Sequence, residues 1–164
     1  MSVSFPDYGS HLPVLCRCFA ELGESKGNVL ELGVGTFSTV VLHELCSRRN
    51  LLSLDMNQEW IDNVKYLGNY FHAIKKVESW IDLPAYKMDW SLVLVDQSPG
   101  EYRQVSVAAL ADRAKLLVLH DTESRNNIYG YYNVLNKFKY LVEYALHPTK
   151  TIVASNFVNV TGWW

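Results

Sequence analysis

The sequence predicts an α/β fold, a doubly wound and mostly parallel sheet of seven strands that ends in an antiparallel hairpin. Apolar runs of strand length alternate along the chain with amphipathic stretches of about 10–15 residues, a pattern typical of βαβ units. Right-handed crossovers between parallel strands place helices on both faces of such a sheet. Only residues 147–150, which include Pro148 and Thr149, separate the last two apolar runs, which is too short for a parallel crossover and therefore predicts the hairpin.

The first helix is predicted over residues 12–22, where large apolar side chains recur at spacings of three and four. Ser10 is a candidate N-cap, and Pro13 lies in the first turn, where its missing N–H costs nothing. Gly23 is expected to end the helix. Residues 29–34 form a nearly continuous apolar run, which indicates a strand buried on both faces.

The later elements follow from the same two patterns. A helix is predicted over residues 36–49, because two arginines at its end suit the negative pole of a helix dipole. A second helix begins after the candidate cap Asn57. The remaining predictions are strands at 51–55, 72–79, 91–96, 115–121, 140–146 and 151–158, and helices at 57–71, 101–113 and 128–138.

Composition narrows the functional classes. The chain has 164 residues, 49% of them hydrophobic, which suits one domain over residues 1–164 with a lead-in and helix at 1–27. A net charge of −2 provides no excess positive charge for nucleic acid or anionic membranes. The apolar runs are far shorter than the ~20 residues that span a bilayer. Without a basic segment followed by an apolar stretch at the start, we expect no secretory signal and a cytoplasmic protein.

The strongest motif is ELGVGTFS, residues 31–38, where the first strand meets its helix. Gly33 and Gly35 allow the backbone to bend and to approach a ligand closely. Asp55, twenty residues after Gly35, ends the second strand, where a carboxylate can accept both hydroxyls of a ribose. Ser38 stands where a dinucleotide fingerprint has its third glycine. The alternative interpretation is a tight turn that needs glycine for geometry alone.

A second cluster is predicted at the ends of the fourth and fifth strands. Asp96 ends the fourth strand, and His120 and Asp121 end the fifth, so all three are expected at one edge of the sheet. These side chains could bind a divalent ion that orients and acidifies a substrate hydroxyl, or His120 could act as a general base. Alternatively, the two aspartates cap turns and His120 is buried in the core.

These motifs resemble those of the class I S-adenosylmethionine-dependent methyltransferases. Within that superfamily, ELGVGTFST, LDMN, VDQSPGEYR and LLVLHDT look like the small enzymes of the macrocin O-methyltransferase and cephalosporin hydroxylase group. The resemblance implies that Glu31 lies near the methionine amine of the cofactor, that Gly33 and Gly35 pass beneath its sugar, and that Asp55 holds its ribose. Ser38 would lie at the carboxylate end of the cofactor.

The resemblance also implies less specific contacts. The segment after the third strand would meet the adenine, with Asp82 accepting from its amine and Trp80 or Ile81 walling its ring; a loop acid and a core tryptophan are the alternative. The lead-in would fold over the cofactor, which makes Tyr8, Ser10 and His11 candidates.

Two further features concern the acceptor side of the site. Tyr102 and Arg103 follow a Pro-Gly turn and could face the substrate, or could instead be a packing residue and a solvated one. The related group carries metal-binding acids at the strand ends occupied here by Asp96 and by His120 and Asp121.

The predicted function is methyl transfer from S-adenosylmethionine to an oxygen or nitrogen of a small-molecule acceptor. Asp96, His120 and Asp121 would be the catalytic groups, with or without a divalent cation such as Mg²⁺. No nucleic acid or membrane partner is expected, and the sequence makes no prediction of oligomeric state. Two alternatives stay open, a non-catalytic protein that binds S-adenosylmethionine or S-adenosylhomocysteine, and a metal-dependent enzyme of different chemistry on the same fold.

Overall fold

A seven-stranded sheet organises the chain in the computed structural model, which describes residues 9–24, 27–123, 129–146 and 149–164. The strand order is β3-β2-β1-β4-β5-β7-β6. The strands are β1 (Val29–Leu32), β2 (Leu51–Asp55), β3 (His72–Lys76), β4 (Trp90–Val95), β5 (Ala114–His120), β6 (Tyr140–Tyr144) and β7 (Thr151–Ser155). The first five are parallel, and β7 pairs antiparallel with both β5 and β6. The predicted mixed sheet and its terminal hairpin are therefore confirmed.

Four α-helices occur in the described ranges, α1 (Leu12–Leu22), α2 (Ser38–Leu45), α3 (Gln58–Val64) and α4 (Arg103–Leu110). The bounds of α1 match the prediction, with a proline in its first turn and Gly23 as C-cap at a φ of 56°. Helix α3 begins at the predicted cap, because the Asn57 side chain accepts a hydrogen bond from the Glu59 amide.

Two apolar cores cover the two faces of the sheet. On one face, Leu15 of α1 and Leu42 of α2 pack with Leu92 and Leu94 of β4. On the other face, α4 and the segment after residue 130 pack with strand residues of the opposite parity, including Val93. Burial of one such leucine stabilises the fold by roughly 1.5–3 kcal/mol. Layers on both faces explain why the central strands are apolar without alternation.

The helix predicted over 128–138 is wrong. Residues 131–133 and 135–137 form two short 3₁₀ turns instead, and Ile128 lies outside the described residues. Gly130 has a φ of 66°, and Val134 between the turns departs from helical geometry with a φ of −123°. Tyrosine, asparagine and valine have weak helix propensity. The conformation of this segment is therefore determined by the packing of Tyr131 and Leu135 into the core.

Other predicted elements are shorter than expected. The helix predicted over 57–71 ends at Val64 and passes through a 3₁₀ turn to Gly68, whose N–H closes that turn. Strand β7 ends at Ser155, because the Ser155 hydroxyl accepts hydrogen bonds from the Phe157 and Val158 amides and turns the chain. Helices predicted over 36–49 and 101–113 also lose residues at both ends, where 3₁₀ or turn geometry takes over.

Ser10 does not cap α1. The N-cap is His11, without a side-chain capping bond. The Ser10 hydroxyl instead lies 2.8 Å from Nε2 of His120 on β5. The hydroxyl that was predicted to cap the helix therefore makes a contact with a strand that is distant in sequence.

Among the helices of the described ranges, none is both long enough and apolar enough to cross a bilayer.

Gly33 is required where β1 ends. Its φ is 94°, and a Cβ there would lie 2.5 Å from the carbonyl carbon and oxygen of Asp96, which follows β4. The glycine therefore lets two neighbouring strand ends come into backbone contact.

Replacement of Gly33 by alanine is expected to lower the free energy of unfolding by about 2–4 kcal/mol, from backbone strain and the clash together. Gly23→Ala is the matched control, since Gly23 also has a positive φ but no atom of the described residues lies within 4 Å of the position that a Cβ would take. That variant has the backbone strain without the clash and should lose less, about 1–3 kcal/mol. Urea unfolding measures both, and equal losses would contradict the close-contact explanation.

Candidate functional site at the carboxyl edge of the sheet

The predicted site residues meet at one edge of the sheet. The turn after β1 carries Gly33 and Gly35, and Asp55 ends β2. Asp96 directly follows β4, and His120 ends β5. In an open parallel sheet this edge, at the point where the strand order reverses, is where ligands bind.

The turn after β1 is held by Asp55. One oxygen of its carboxylate, Oδ2, accepts a 2.8 Å hydrogen bond from the Val34 amide. The other, Oδ1, accepts a 2.7 Å bond from the Asn57 amide. Burial raises the pKa of the Asp55 carboxyl above its ordinary value, although these amide hydrogen bonds act in the opposite direction. Asp55 thus links the glycine turn to the start of α3.

Glu31 supports the same turn from below. Its side chain is completely buried, and the Thr39 hydroxyl lies 3.0 Å from both carboxyl oxygens. The Gly35 amide in turn donates to the Thr39 hydroxyl at 3.0 Å. Burial raises the pKa of Glu31 to about 7, against hydrogen bonds from Ser53, Ser38 and Thr39 that favour the charged form. Ser38 begins α2, two residues after the predicted start of this helix, and is buried.

The segment expected to meet adenine is divided between core and surface. Trp80 is fully buried, and its indole N–H donates to the Ser98 carbonyl at 2.8 Å. Core packing uses its ring, as the alternative interpretation of a core tryptophan expects. Ile81 is 53% exposed, and Asp82 is exposed with a φ of 56°. These two are free to meet a ligand.

Arg103 is the centre of the second cluster. Its guanidinium is buried, with Nη2 2.9 Å from Oδ1 of Asp96 and Nη1 3.1 Å from Oδ2 of Asp121. Its Nε donates to the Gln97 carbonyl at 2.9 Å, and its Nη groups donate to the carbonyls of Asp96 and His120 at 3.2 Å. The Tyr129 ring lies 4.2 Å away, as a cation–π partner. Arg103 therefore ties together the ends of β4 and β5.

His120 completes this cluster. Its Nδ1 lies 3.2 Å from Oδ1 of Asp96 and 3.3 Å from Oδ1 of Asp121. Its Nε2 lies 2.8 Å from the Ser10 hydroxyl and 3.0 Å from the Thr149 hydroxyl. Burial alone lowers the pKa of His120, but hydrogen bonds and charges from Asp121 and Asp96 outweigh burial and raise it to about 9. Burial raises the pKa of the Asp121 carboxyl, but the hydrogen bond and charge of His120 and the charge of Arg103 outweigh burial and lower it.

His11 is next to His120 but has a different environment. The two rings meet edge to face with centroids 4.5 Å apart. His11 is 1% exposed, and neither ring nitrogen has a hydrogen-bond partner among the described residues. Burial, reinforced by His120, lowers the pKa of His11 to about 4. His11 is therefore a neutral imidazole with two unsatisfied nitrogens at the edge where a ligand is expected.

The structure therefore brings Asp96, His120, Asp121, Ser10 and His11 together, whereas Tyr8 lies outside the described residues. Sequence reasoning missed the central position of Arg103, which it weighed as a substrate-side or solvated residue. The available signal was its place at the start of the helix after Asp96. Tyr102 is partly buried and packs against the core.

This carboxyl edge of the sheet, the rim, is also a candidate cation site. Ligand atoms of His11, Asp96 and His120 lie within 4.8 Å of one another. However, Oδ1 of Asp96 already pairs with Arg103, and the raised pKa of His120 keeps its nitrogens protonated at neutral pH. Two cations, Arg103 and His120, already balance the two carboxylates. The arrangement of these described residues consequently does not fit a divalent ion.

Comparisons with known proteins agree with the fold. No protein-family model and no curated protein matches the sequence. The crystal structure of WbdD is 16% identical with a TM-score of 0.64, and the match covers 92% of this chain and 41% of WbdD. Another WbdD structure is described as a bifunctional kinase-methyltransferase. This chain thus spans about two fifths of the length of WbdD.

Two other structures match over most of their own length. A protein from Staphylococcus aureus, assigned as a caffeoyl-CoA O-methyltransferase, is 12% identical with a TM-score of 0.65 and coverage of 86% of this chain and 80% of its own. A methyltransferase from Pyrococcus furiosus is 10% identical with a TM-score of 0.57, and the match covers 89% of this chain and 83% of that protein. At these identities the likeness establishes a Rossmann-like fold that is shared with methyltransferases.

The charge on His120 predicts a specific dependence of stability on pH. Because its pKa is raised from 6.5 to about 9 by folding, its stabilising contribution is fully present below pH 6.5 and is lost as pH rises through about 9. Over that window the contribution falls by up to about 1.4 kcal/mol per pH unit. His120→Gln should lack this component. Urea unfolding of both chains across the window measures the difference, and parallel pH curves would contradict a charged His120.

Proposed function

We propose that this chain transfers a methyl group from S-adenosylmethionine to an oxygen or nitrogen of a small-molecule acceptor. The observation that carries the proposal is the contact of the Gly33 backbone with Asp96 and Gln97. This contact makes the glycine turn and the Arg103 cluster one continuous edge, so a ligand on the turn lies beside ionised groups. The fold shared with methyltransferases supports the same conclusion.

On the cofactor side, the proposed roles follow the motif resemblance. The Glu31 carboxyl would lie near the methionine amine, and Gly33 and Gly35 beneath the sugar. Asp55 would accept the ribose hydroxyls with lone pairs that its two amide donors leave free, since an ionised carboxylate has about four acceptor sites. Ser38 would lie at the carboxylate end. Asp82, with Ile81 in place of the buried Trp80, would meet the adenine.

On the acceptor side, Asp96 is the proposed proton acceptor. Among the described contacts, Arg103 and His120 both use Oδ1 of Asp96, and its side chain is 25% exposed. Oδ2 is therefore available to take the proton from the acceptor atom. His120 cannot take it at neutral pH, because it is already protonated. His120 and Asp121 instead hold Asp96 in position.

The bound cofactor supplies a methyl group that its sulfonium already activates, so the chain needs mainly to align the acceptor and remove a proton. The acceptor oxygen or nitrogen would take the methyl carbon, and the electron pair of the carbon–sulfur bond would stay on the sulfur of the departing S-adenosylhomocysteine. The proton of the acceptor atom goes to Oδ2 of Asp96. We retain the macrocin O-methyltransferase and cephalosporin hydroxylase group as the proposed closer relationship, with a small-molecule acceptor in the cytoplasm.

The wild-type chain is expected to bind S-adenosylmethionine and S-adenosylhomocysteine in isothermal titration calorimetry. Asp55→Asn should weaken both at least about tenfold, equivalent to about 1.4 kcal/mol, because the amide keeps one acceptor oxygen and has an NH₂ donor in place of the other. Asp62→Asn, which changes an exposed acid on α3, is the control and should bind as the wild type does. Absence of binding at about 1 mM ligand would refute the proposal. Binding without turnover across an acceptor panel would indicate a non-catalytic binding protein instead.

The same site is expected to work without a divalent cation. EDTA should leave both cofactor binding and turnover unchanged, and the electron paramagnetic resonance signal of free Mn²⁺ should be unaffected by the wild-type chain. Arg103→Met, which leaves two carboxylates without their guanidinium, should acquire Mn²⁺ binding. Loss of turnover on chelation, or Mn²⁺ binding by the wild type that Asp96→Asn removes, would show that the rim holds a metal after all.

A further inference from the structure

A row of polar side chains crosses one face of the sheet beneath α2. Glu31 on β1 is paired in register with Ser53 on β2, so their side chains share a face. His72 on the edge strand β3 is in register with Leu51, two residues before Ser53 and thus on the same face. Their neighbours on this face are apolar core residues, so the row is exceptional in its surroundings.

Side chains of α2 close the row from above. Thr39 and His43 are four residues apart, one helical turn, and both reach down to the sheet. The His43 Nδ1 lies 3.0 Å from the His72 Nδ1. The other ring nitrogen of His72, Nε2, lies 2.9 Å from the Ser53 hydroxyl. Ser53 is also the register partner of Glu31 and favours the ionised form of its carboxyl. A series of adjacent polar groups thus runs from Glu31 through Ser53 and His72 to His43.

The exposure of these groups changes along the series. Glu31, Ser53 and His72 are at most 1% exposed, whereas His43 is partly exposed. Burial of three polar groups is unfavourable unless each is hydrogen-bonded, and here the series provides that bonding. Its two ends therefore differ, with a buried carboxyl at one and an imidazole that can exchange protons with water at the other.

The hydrogen bonds can be drawn in either direction. With Glu31 protonated, its O–H donates to Ser53, the Ser53 O–H donates to Nε2 of His72, and the His72 Nδ1–H donates to Nδ1 of His43. With Glu31 ionised, every bond is reversed, so that His43 Nδ1–H donates to His72, His72 Nε2–H donates to Ser53, and Ser53 donates to the carboxylate. One direction converts to the other when each hydrogen moves across its own bond.

We infer that Ser53, His72 and His43 form a proton relay that connects the buried carboxyl of Glu31 to solvent without opening the fold. When Glu31 ionises, its proton passes to Ser53, the Ser53 hydroxyl proton passes to His72 Nε2, and the His72 Nδ1 proton passes to His43 Nδ1. His43 then releases the proton on its Nε2 to water. One proton enters the series and one leaves it, so charge and atoms balance.

The charges around the relay are compatible with this exchange near neutral pH. Burial raises the pKa of Glu31 to about 7, while Ser53, Ser38 and Thr39 favour its ionised form and the negative charge of Asp96 disfavours it. Burial, together with His43, lowers the pKa of His72 to about 4, so His72 stays neutral while Glu31 titrates. Phe71, whose ring centroid lies 5.0 Å from that of His43, adds no charge.

The relay has a consequence for ligand binding. This consequence, unlike the relay itself, rests on the proposed function. An ammonium group placed beside Glu31 favours the ionised carboxylate. Binding of S-adenosylmethionine would then expel one proton from the buried site, and the relay gives that proton a route out while the ligand covers the edge. Ser53 and His72 are positioning residues in this scheme, because they act through Glu31.

The first test uses the ligand-free chain. Nitrogen-15 NMR of the histidine rings distinguishes the Nδ1–H from the Nε2–H tautomer. In the wild type, His72 is expected to change from the Nδ1–H to the Nε2–H tautomer as pH rises, with a midpoint near the pKa of Glu31 at about 7. A merely structural hydrogen bond would give one tautomer at all pH values above the protonation of His72 at about 4.

Variants identify the source of the transition. Glu31→Gln and Ser53→Ala should each abolish the tautomer change at His72. Ser91→Ala, which removes another buried serine from β4, should keep it. A wild-type His72 with one tautomer between about pH 5 and 8, or a transition that survives both Glu31→Gln and Ser53→Ala in folded chains, would overturn the relay.

The second test separates the relay from the proposed function. Calorimetry of S-adenosylmethionine binding in two buffers of different ionisation enthalpy should show release of up to one proton near pH 7 in the wild type and none in Glu31→Gln. If the chain binds no S-adenosylmethionine, the proposed function fails, while the NMR result still decides the relay. If binding occurs without proton release, the coupling to the ligand is refuted.

Discussion

The buried guanidinium of Arg103 determines how the carboxyl edge of the sheet is built. It donates to side chains and main-chain carbonyls at the ends of β4 and β5, and it belongs to the first turn of α4. Removal of one member of such a buried pair typically costs about 3–5 kcal/mol, because the remaining charges lose their partners. Strand ends, helix start and rim geometry are thus fixed by one side chain.

The same network sets the charges available for chemistry. Arg103 and His120 together compensate Asp96 and Asp121, so the rim is close to neutral although it contains four ionised groups. Beside it, His11 is kept neutral by the desolvation that its burial imposes. Two histidines in ring contact therefore have opposite protonation states, because only one of them has carboxylate partners.

Local sequence predicted those features that depend on local chemistry. Periodicity and Gly23 defined α1, and apolar runs located the strands, because a sheet covered on both faces needs such runs. The convergence of Asp55, Asp96 and His120 was predictable because parallel strands end at one edge. The burial of Arg103 was not, since it depends on elements distant in sequence, whereas a core tryptophan at Trp80 was one of the two interpretations of the sequence. The His43 and His72 contact was missed for the same reason, although Ser53 within an apolar strand was a visible sign.

The position of β3 at the sheet margin has a consequence for self-association. An unpaired strand margin can recruit a strand from another molecule and begin aggregation, and charged residues oppose such recruitment. Lys75 and Lys76 are exposed on this strand and would repel an identical strand laid against it. The lysines thereby disfavour fibril-like stacking at this margin.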